Sequence, residues 1–267
     1  MARIAEALGV SWNTANAALL DEGCRVLIDD PGRFEDVKVI DLTPAREKTG
    51  PSRLLDMVEG RSKAVFKQWL TARPQAWRDG VEVVAMDGFT GFKTAAAEEL
   101  PDAVTVMDPF HVVRLAGDAP GRCRRRVQLD AFGRRGRKDD PLYKARRTLH
   151  TGAGLLTDKQ QVHLEALFAD EQHVEVEATW GIYQRMVTAY REPDRELGKF
   201  VMQSVLDSLA SGVPAGLAEL RSLGRTLKQR AAYILAFFDR PGTSNGPTEA
   251  STAASNTYEA LPWGSGT

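Results

Sequence analysis

The chain has 267 residues, 43% hydrophobic and 27% charged, with a net charge of −1. That is enough for a buried core in one or two domains, and the balance excludes a disordered chain or a wholly basic nucleic-acid binder. No apolar run reaches the roughly 18 residues of a membrane span, and the start, MARIAEALGV, lacks the continuous apolar region of a signal peptide. No membrane partner and a cytoplasmic location are therefore expected. Cys24 and Cys123 stand alone, without a CxxC, and are expected as reduced thiols.

Ala2 to Leu20 reads as two short helices about a turn. Ala5 is small enough for close helix approach, Gly9 tolerates the positive φ of a turn, and Ser11 is placed to cap the second helix. Ala15 and Leu19 then face inward, and Trp12, Asn13, Thr14 and Asn16 face DNA or solvent. A helix-turn-helix remnant and a plain helical hairpin both fit this pattern.

Val37-Lys38-Val39-Ile40-Asp41-Leu42-Thr43-Pro44 reads as a short strand and its end. Val81 to Asp87, VEVVAMD, is a valine-rich run too short for a typical helix and is expected as a buried strand ending in an acid. Phe89 to Leu100 reads as a helix, Pro101-Asp102 as a turn, and Val104 to Asp108, VTVMD, as a second acid-terminated strand. This is a strand–helix–strand unit, the minimum of a parallel α/β sheet. Ligands of such sheets bind beyond the carboxyl ends of the strands, where Asp87 and Asp108 fall. On spacing alone, a strand-terminal turn acid is the simpler role for Asp87. His111, in DPFHV, is expected as a packed structural histidine rather than a phosphate contact.

From Arg114 to Arg147 there are twelve Lys or Arg against four acids, with Phe132 and Tyr143 interleaved. Arg122, Arg124, Arg125, Arg126, Arg134, Arg135, Arg137 and Lys138 form its densest part. Such a patch suits DNA phosphates, which give affinity without reading sequence; a solvated helix face is the alternative. Leu155 to Tyr190 and Leu197 to Phe238 carry apolar residues at helical spacing, with Val174 to Ile182 helical as well. Ser244-Asn245-Gly246-Pro247 is a turn that should lead into a helix carrying Glu249. Ser251 to Thr267, STAASNTYEALPWGSGT, has neither helical nor strand periodicity.

VVAMDGFTGFKTAAAEELPDAVTVMDPFHVVRLAGDA together with SNGPTEA resembles the DDE transposases of ISL-three-type bacterial insertion sequences. The resemblance covers Ala2 to Ala250. It implies a ribonuclease-H-like core, a helical insert between the second and third acids, and three acids holding two divalent metals. Asp87 matches the second acid and Glu249 the third, so both are the implied catalytic and metal residues. Mg²⁺ or Mn²⁺ is the implied cofactor, since hard cations take oxygen ligands. Two such ions stabilise the attacking and leaving oxygens of a phosphodiester displacement. The implied partners are DNA at transposon ends, bracketed by the insert, and a second copy in a homo-oligomer. The family's upstream cysteine-rich zinc module has no match here, and the supporting helix of the helix-turn-helix is expected to be missing.

Two departures from the family pattern imply damage. The family's first acid lies on its first strand, in a pattern like VKVIGVDEHVW, with a hairpin ending like KYVTVIIDLTP. Here VKVI runs directly into DLTP, as if about twenty residues, a short hairpin's length, were deleted with the acid. Asp41 remains and by strand alternation shares a side with Val37 and Val39. It is a candidate substitute ligand, though an ordinary strand-end acid is the default. After Glu-Ala the family pattern resembles INGRLEHLRGSALGFRNL. One allowed coding of it, read one base out of frame, gives STAASNTYEALPWGSGT and then a stop, which is Ser251 to Thr267 at every position. The alternative is an ordinary disordered terminus.

The expected fold class is α/β: an incomplete ribonuclease-H-like core with an N-terminal helix-turn-helix remnant and an all-helical insert. The expected organisation is a helix-turn-helix remnant over 1–30, the first part of the core over 31–115, a basic and helical insert over 116–240, the third acidic motif over 241–250 and a frame-shifted tail over 251–267. The expected function is an insertion-sequence transposase that is inactive in this copy and holds Mg²⁺ or Mn²⁺ weakly or not at all. A non-catalytic DNA-binding protein acting at transposon ends is the alternative. The basic stretch argues against a third reading, a small-molecule or metal-binding α/β protein.

Overall fold

The computed structural model describes residues 31–42 and 62–240, with the isolated positions 9–11, 14, 17–18, 21–22, 25, 29, 55–56, 58–60 and 243. Three strands form one sheet in the order β1 (Val39–Asp41), β2 (Val83–Met86), β3 (Val104–Met107). The Lys38 carbonyl accepts from Val83 N–H at 3.1 Å, and Leu42 N–H donates to the Ala85 carbonyl at 3.0 Å. Both chains advance together along this ladder, so the pairing is parallel. All four β2 residues are buried, as expected of the middle strand of a parallel sheet. On β1, Ile40 is buried while Val39 and Asp41 are exposed, so Asp41 does share a side with Val39.

The chain divides into two compact units, residues 1–40, 44–84 and 90–103 in the first and 41–43, 85–89 and 104–267 in the second. In the first unit, α1 (Lys63–Thr71) starts at Ser62, whose hydroxyl accepts from Val65 N–H. It packs Phe66 and Leu70 toward α3 (Thr90–Glu99), which offers the small Ala95 and Ala96. The short α2 (Gln75–Asp79) brings Trp77 to Trp69 and Phe34, with ring centroids 5.8 and 6.1 Å away, and the Arg73 guanidinium lies over Phe34 and Trp69. Glu99 accepts from Arg78 at 2.5 Å, while Glu98 accepts from both Lys63 and Lys67.

The second unit is built on α4 (Pro109–Phe132), 24 residues long. Asp108 caps it, Pro109 occupies the first turn where no N–H is missed, and Gly133 ends it at φ 63°. Val112, Ala116, Ala119 and Cys123 form its buried stripe at three- and four-residue spacing. The short α5 (Pro141–Lys144) and α6 (Asp158–Phe168) follow, α6 opened by a capping box of Thr157 and Gln160. Then α7 (Val174–Arg191) packs on α4, α8 (Arg195–Ala210) on α7, and α9 (Ala218–Asp239) on α8, α4 and β3. The expected helix-rich stretch, Leu155 to Tyr190 and Leu197 to Phe238, is thus four helices, α6 to α9, joined by short connections. Cys123 is a free, buried thiol whose pKa burial pushes up to about 11, so it is inert at neutral pH. Cys24 lies outside the described residues.

Candidate functional site

Asp87 follows β2 and is 8% exposed, its Oδ1 accepting from Phe89 N–H at 2.9 Å. Asp108 follows β3 and is 4% exposed, its Oδ1 accepting from Phe110 N–H at 2.9 Å. Asp41 ends β1 and is exposed. The backbone holds these three strand ends in register. Asp108 N–H donates to the Met86 carbonyl at 3.0 Å, one residue before Asp87, and Leu42 N–H donates to Ala85. All three acids belong to the second unit and lie at the carboxyl ends of adjacent parallel strands, where α/β sheets bind ligands.

They do not converge into a cation cage. Among the described residues, no three His, Cys, Asp or Glu side chains gather closely enough to hold a metal ion. The described residues therefore do not by themselves fit a two-metal site. Glu249, the second implied ligand, lies outside the described residues, as do Trp12, Asn13 and Asn16. Thr14 is described and exposed, and its N–H donates to Ser11 Oγ at 3.0 Å. Gly9 has the positive φ that its turn requires, 64°.

Two residues without a sequence signal join the strand ends. From α9, Arg230 Nη2 donates to the Gly88 carbonyl at 2.9 Å, directly after Asp87. From α7, Tyr190 lies buried, stacked on Phe238 with its hydroxyl unpaired. Burial pushes its pKa well up, and the nearby Asp108 charge pushes it further. The same two influences define the phenol as a neutral group throughout the working pH range. His111 is half-buried at the start of α4, edge-to-face with Phe110 at 5.6 Å, a packed position.

The basic segment divides by environment. Arg126 is consumed internally: it bonds Glu219 at 2.9 Å, Glu175 at 2.8 Å and the Gly216 carbonyl at 2.7 Å. Its hydrogen bond to Glu219 raises the guanidinium pKa further; burial alone would push Glu219 up, but Arg126 holds that carboxyl below its usual range. Arg134 is engaged bidentately by Asp140, at 2.5 and 3.0 Å. Arg124 is buried at 7% exposure. Arg122, Arg125, Arg135, Arg137 and Lys138 are exposed, and no ion pair engages them among the described residues. No helix among the described residues is long and apolar enough to cross a membrane.

No curated protein and no solved structure matches the chain. A family model described as a transposase, of the DDE class and ISL-three type, matches residues 34–259. The match takes in Asp41, Asp87, Asp108 and Glu249 and continues past Ala250; residues 1–33 lie outside it. It spans most of the 267 residues, and the chain therefore belongs to the ISL-three-type family of DDE transposases.

Proposed function

We propose that the chain is a DNA-binding copy of a transposase that has lost cleavage and strand transfer. In an intact relative of this kind, divalent Mg²⁺ or Mn²⁺ supplies the activation of water and of the leaving oxygen at the DNA strand. The residues of this chain that would hold it are Asp87 and Glu249. The reading rests on Asp87: a buried acid at the carboxyl end of the middle strand, inside the family match, with strand-end acids on either side. The strand order β1-β2-β3 also supports it, because a ribonuclease-H-like core without its first hairpin retains three parallel strands with the second acid on the central one. Loss of activity follows from the strand that passes from Ile40 to Asp41 without a further acid.

Retained DNA binding is favoured by the exposed Arg122, Arg125, Arg135, Arg137 and Lys138. They carry free positive charge on α4 and the loop after it, suited to a phosphate backbone. Trp12, Asn13, Thr14 and Asn16 are the residues proposed to face DNA bases from a helix-turn-helix remnant. The protein would act in the cytoplasm, as a homo-oligomer on transposon ends. Incubation of the full chain with duplexes carrying the element's ends, in Mg²⁺ or Mn²⁺, tests both halves. A salt-sensitive shift without nicking is expected. Nicking that disappears in Asp87→Asn overturns the loss of activity, and absence of a shift at low salt overturns DNA binding.

A further inference from the structure

Helical spacing places Arg124 and Gln128 four residues apart on one face of α4, and that face is turned inward: Arg124 is 7% exposed and Gln128 0%. A guanidinium taken out of water needs an anion near it. Arg126 has Glu219 and Glu175, and Arg134 has Asp140. Arg124 has no ion-pair partner among the described residues. Its Nη1 donates to Gln128 Oε1, a neutral amide oxygen. Burial lowers its pKa, the neighbouring cations Arg125 and Arg146 lower it further, and Tyr143 opposes them only weakly. Arg146 lies over the Tyr143 ring at 4.3 Å, and Arg124 approaches the same ring at 5.9 Å.

The amide that accepts from Arg124 is itself half-satisfied. Gln128 Nε2 is enclosed and has no acceptor, and it occupies the space that a Cβ at Gly136 would need. No nitrogen of Arg124 is both fully enclosed and unpaired, so its remaining N–H groups are not sealed off from solvent. The cluster therefore presents positive charge with no carboxylate to answer it, beside an amide donor without an acceptor. A buried donor left in this state marks a place where an acceptor belongs.

We propose that Arg124, Arg146 and Gln128 form a binding site for a phosphate oxyanion. A tetrahedral phosphate offers several acceptor oxygens and matches the planar fork of a guanidinium. Arg125 adds charge at the rim. Its source is a phosphate of the DNA backbone, which the exposed cations of the same segment would draw in; in this respect the site rests on the proposed DNA binding. Free inorganic phosphate shares the chemistry and is the second arm of the test. Arg124 is then a cation held ready for an anion, rather than a packing residue.

The test uses the full chain and four variants. Arg124→Met replaces the buried cation with an apolar side chain of similar length. Arg146→Ala sits at a half-buried position and carries the same readout should Arg124→Met fail to fold. Lys159→Ala, at an exposed lysine of α6 outside the basic segment, is the control for general charge. Arg124→Lys keeps the charge and loses the fork. Thermal unfolding is followed with inorganic phosphate against chloride at matched ionic strength. The wild type and Lys159→Ala should gain stability from phosphate, and Arg124→Met and Arg146→Ala should not; Arg124→Lys should keep only part of the gain. In a parallel arm, the slope of log affinity for a random duplex against log salt should fall by about one in Arg124→Met. A phosphate gain lost in Arg124→Met and Arg146→Ala, in a protein that does not shift DNA, upholds the site and overturns the DNA reading. A slope change without a free-phosphate effect upholds the site with DNA as its source. A phosphate gain surviving in both variants, or no effect of Arg124 and Arg146 in either arm, overturns the proposal.

Discussion

Arg230 and Gly88 are 142 positions apart in the chain, and a single hydrogen bond of 2.9 Å fastens the α9 guanidinium to the carbonyl that follows Asp87. The loop that sets the direction of the Asp87 carboxyl is thereby tied to the last described helix of the chain. Gly88 makes the approach possible, because a Cβ there would lie 2.5 Å from Arg230 Nη1 and 3.1 Å from Met107 Cε.

Gly88→Ala should therefore displace Arg230, and Arg230→Ala should leave the Gly88 carbonyl short of a donor. Each should destabilise the second unit by about 1 kcal/mol, the net value of one hydrogen bond. Urea midpoints of the two single variants and the double variant check this. The double variant should be no worse than the poorer single one, because both remove the same hydrogen bond.

The Arg126 network gives a pH-dependent contribution with a definite sign. Burial is the largest influence on Glu219 and would raise it, but Arg126, with a backbone hydrogen bond and the charge of Arg122, brings the carboxyl below its ordinary 4.5 in the folded chain. A depressed carboxyl stabilises the fold above its unfolded pKa, and that contribution disappears as pH falls through the lower folded value. Arg126→Met should cost about 2 kcal/mol at pH 7, less than a fully buried pair because Arg126 is partly exposed. Without Arg126, burial is opposed at Glu219 only by a backbone hydrogen bond and the charge of Arg122, so acid should destabilise the variant less than the wild type. Unfolding curves at pH 7 and pH 4 that fall in parallel would show that the pair contributes nothing.

Phosphate binding by the exposed cations should show in the salt slope. Changing Arg122, Arg135, Arg137 and Lys138 together to Ala should reduce the slope of log affinity against log salt by several, at about 0.9 for each phosphate no longer neutralised. Melting temperature should scarcely move, because these side chains are exposed and make no ion pair among the described residues. An unchanged slope makes them a solvated face.

Gly198 marks the tightest approach in the helical part. A Cβ there would meet the Ala189 carbonyl at 2.6 Å and Phe238 Cε1 at 3.0 Å. Gly198→Ala should cost about 2 kcal/mol by overpacking, in spite of alanine's better helix propensity. Calorimetric unfolding reads this directly, and a gain in stability would mean that α7 and α8 separate without strain.

On the proposal that Ser251 to Thr267 are read out of frame, restoring the frame after Ala250 should not by itself restore strand transfer. That repair would return the family's pattern after Glu249 but would supply no first-strand acid. Inserting about twenty residues of the family's first hairpin between Ile40 and Asp41 should also be required. End cleavage in Mg²⁺ or Mn²⁺ by the chain, each single repair and the double repair decides the matter. Activity in the frame repair alone, abolished by Asp41→Asn, would assign Asp41 the missing role.

The strands and long helices were legible in the sequence because their signals are local. Apolar runs of four or five residues ending in an acid specify β2 and β3, and with them the strand-end positions of Asp87 and Asp108. Three- and four-residue apolar spacing specifies α7, α8 and α9, and the turn chemistry of Gly9 and Ser11 is likewise read within a few positions. Only the tertiary structure decided how each charge is used. Arg124, Arg125 and Arg126 are consecutive, yet one is buried without a carboxylate, one is exposed, and one is matched by Glu219, 93 positions away. A helix turns successive residues through about 100°, so neighbours in sequence face different surroundings. What neutralises a charge depends on the element packed opposite, and no local pattern carries that information.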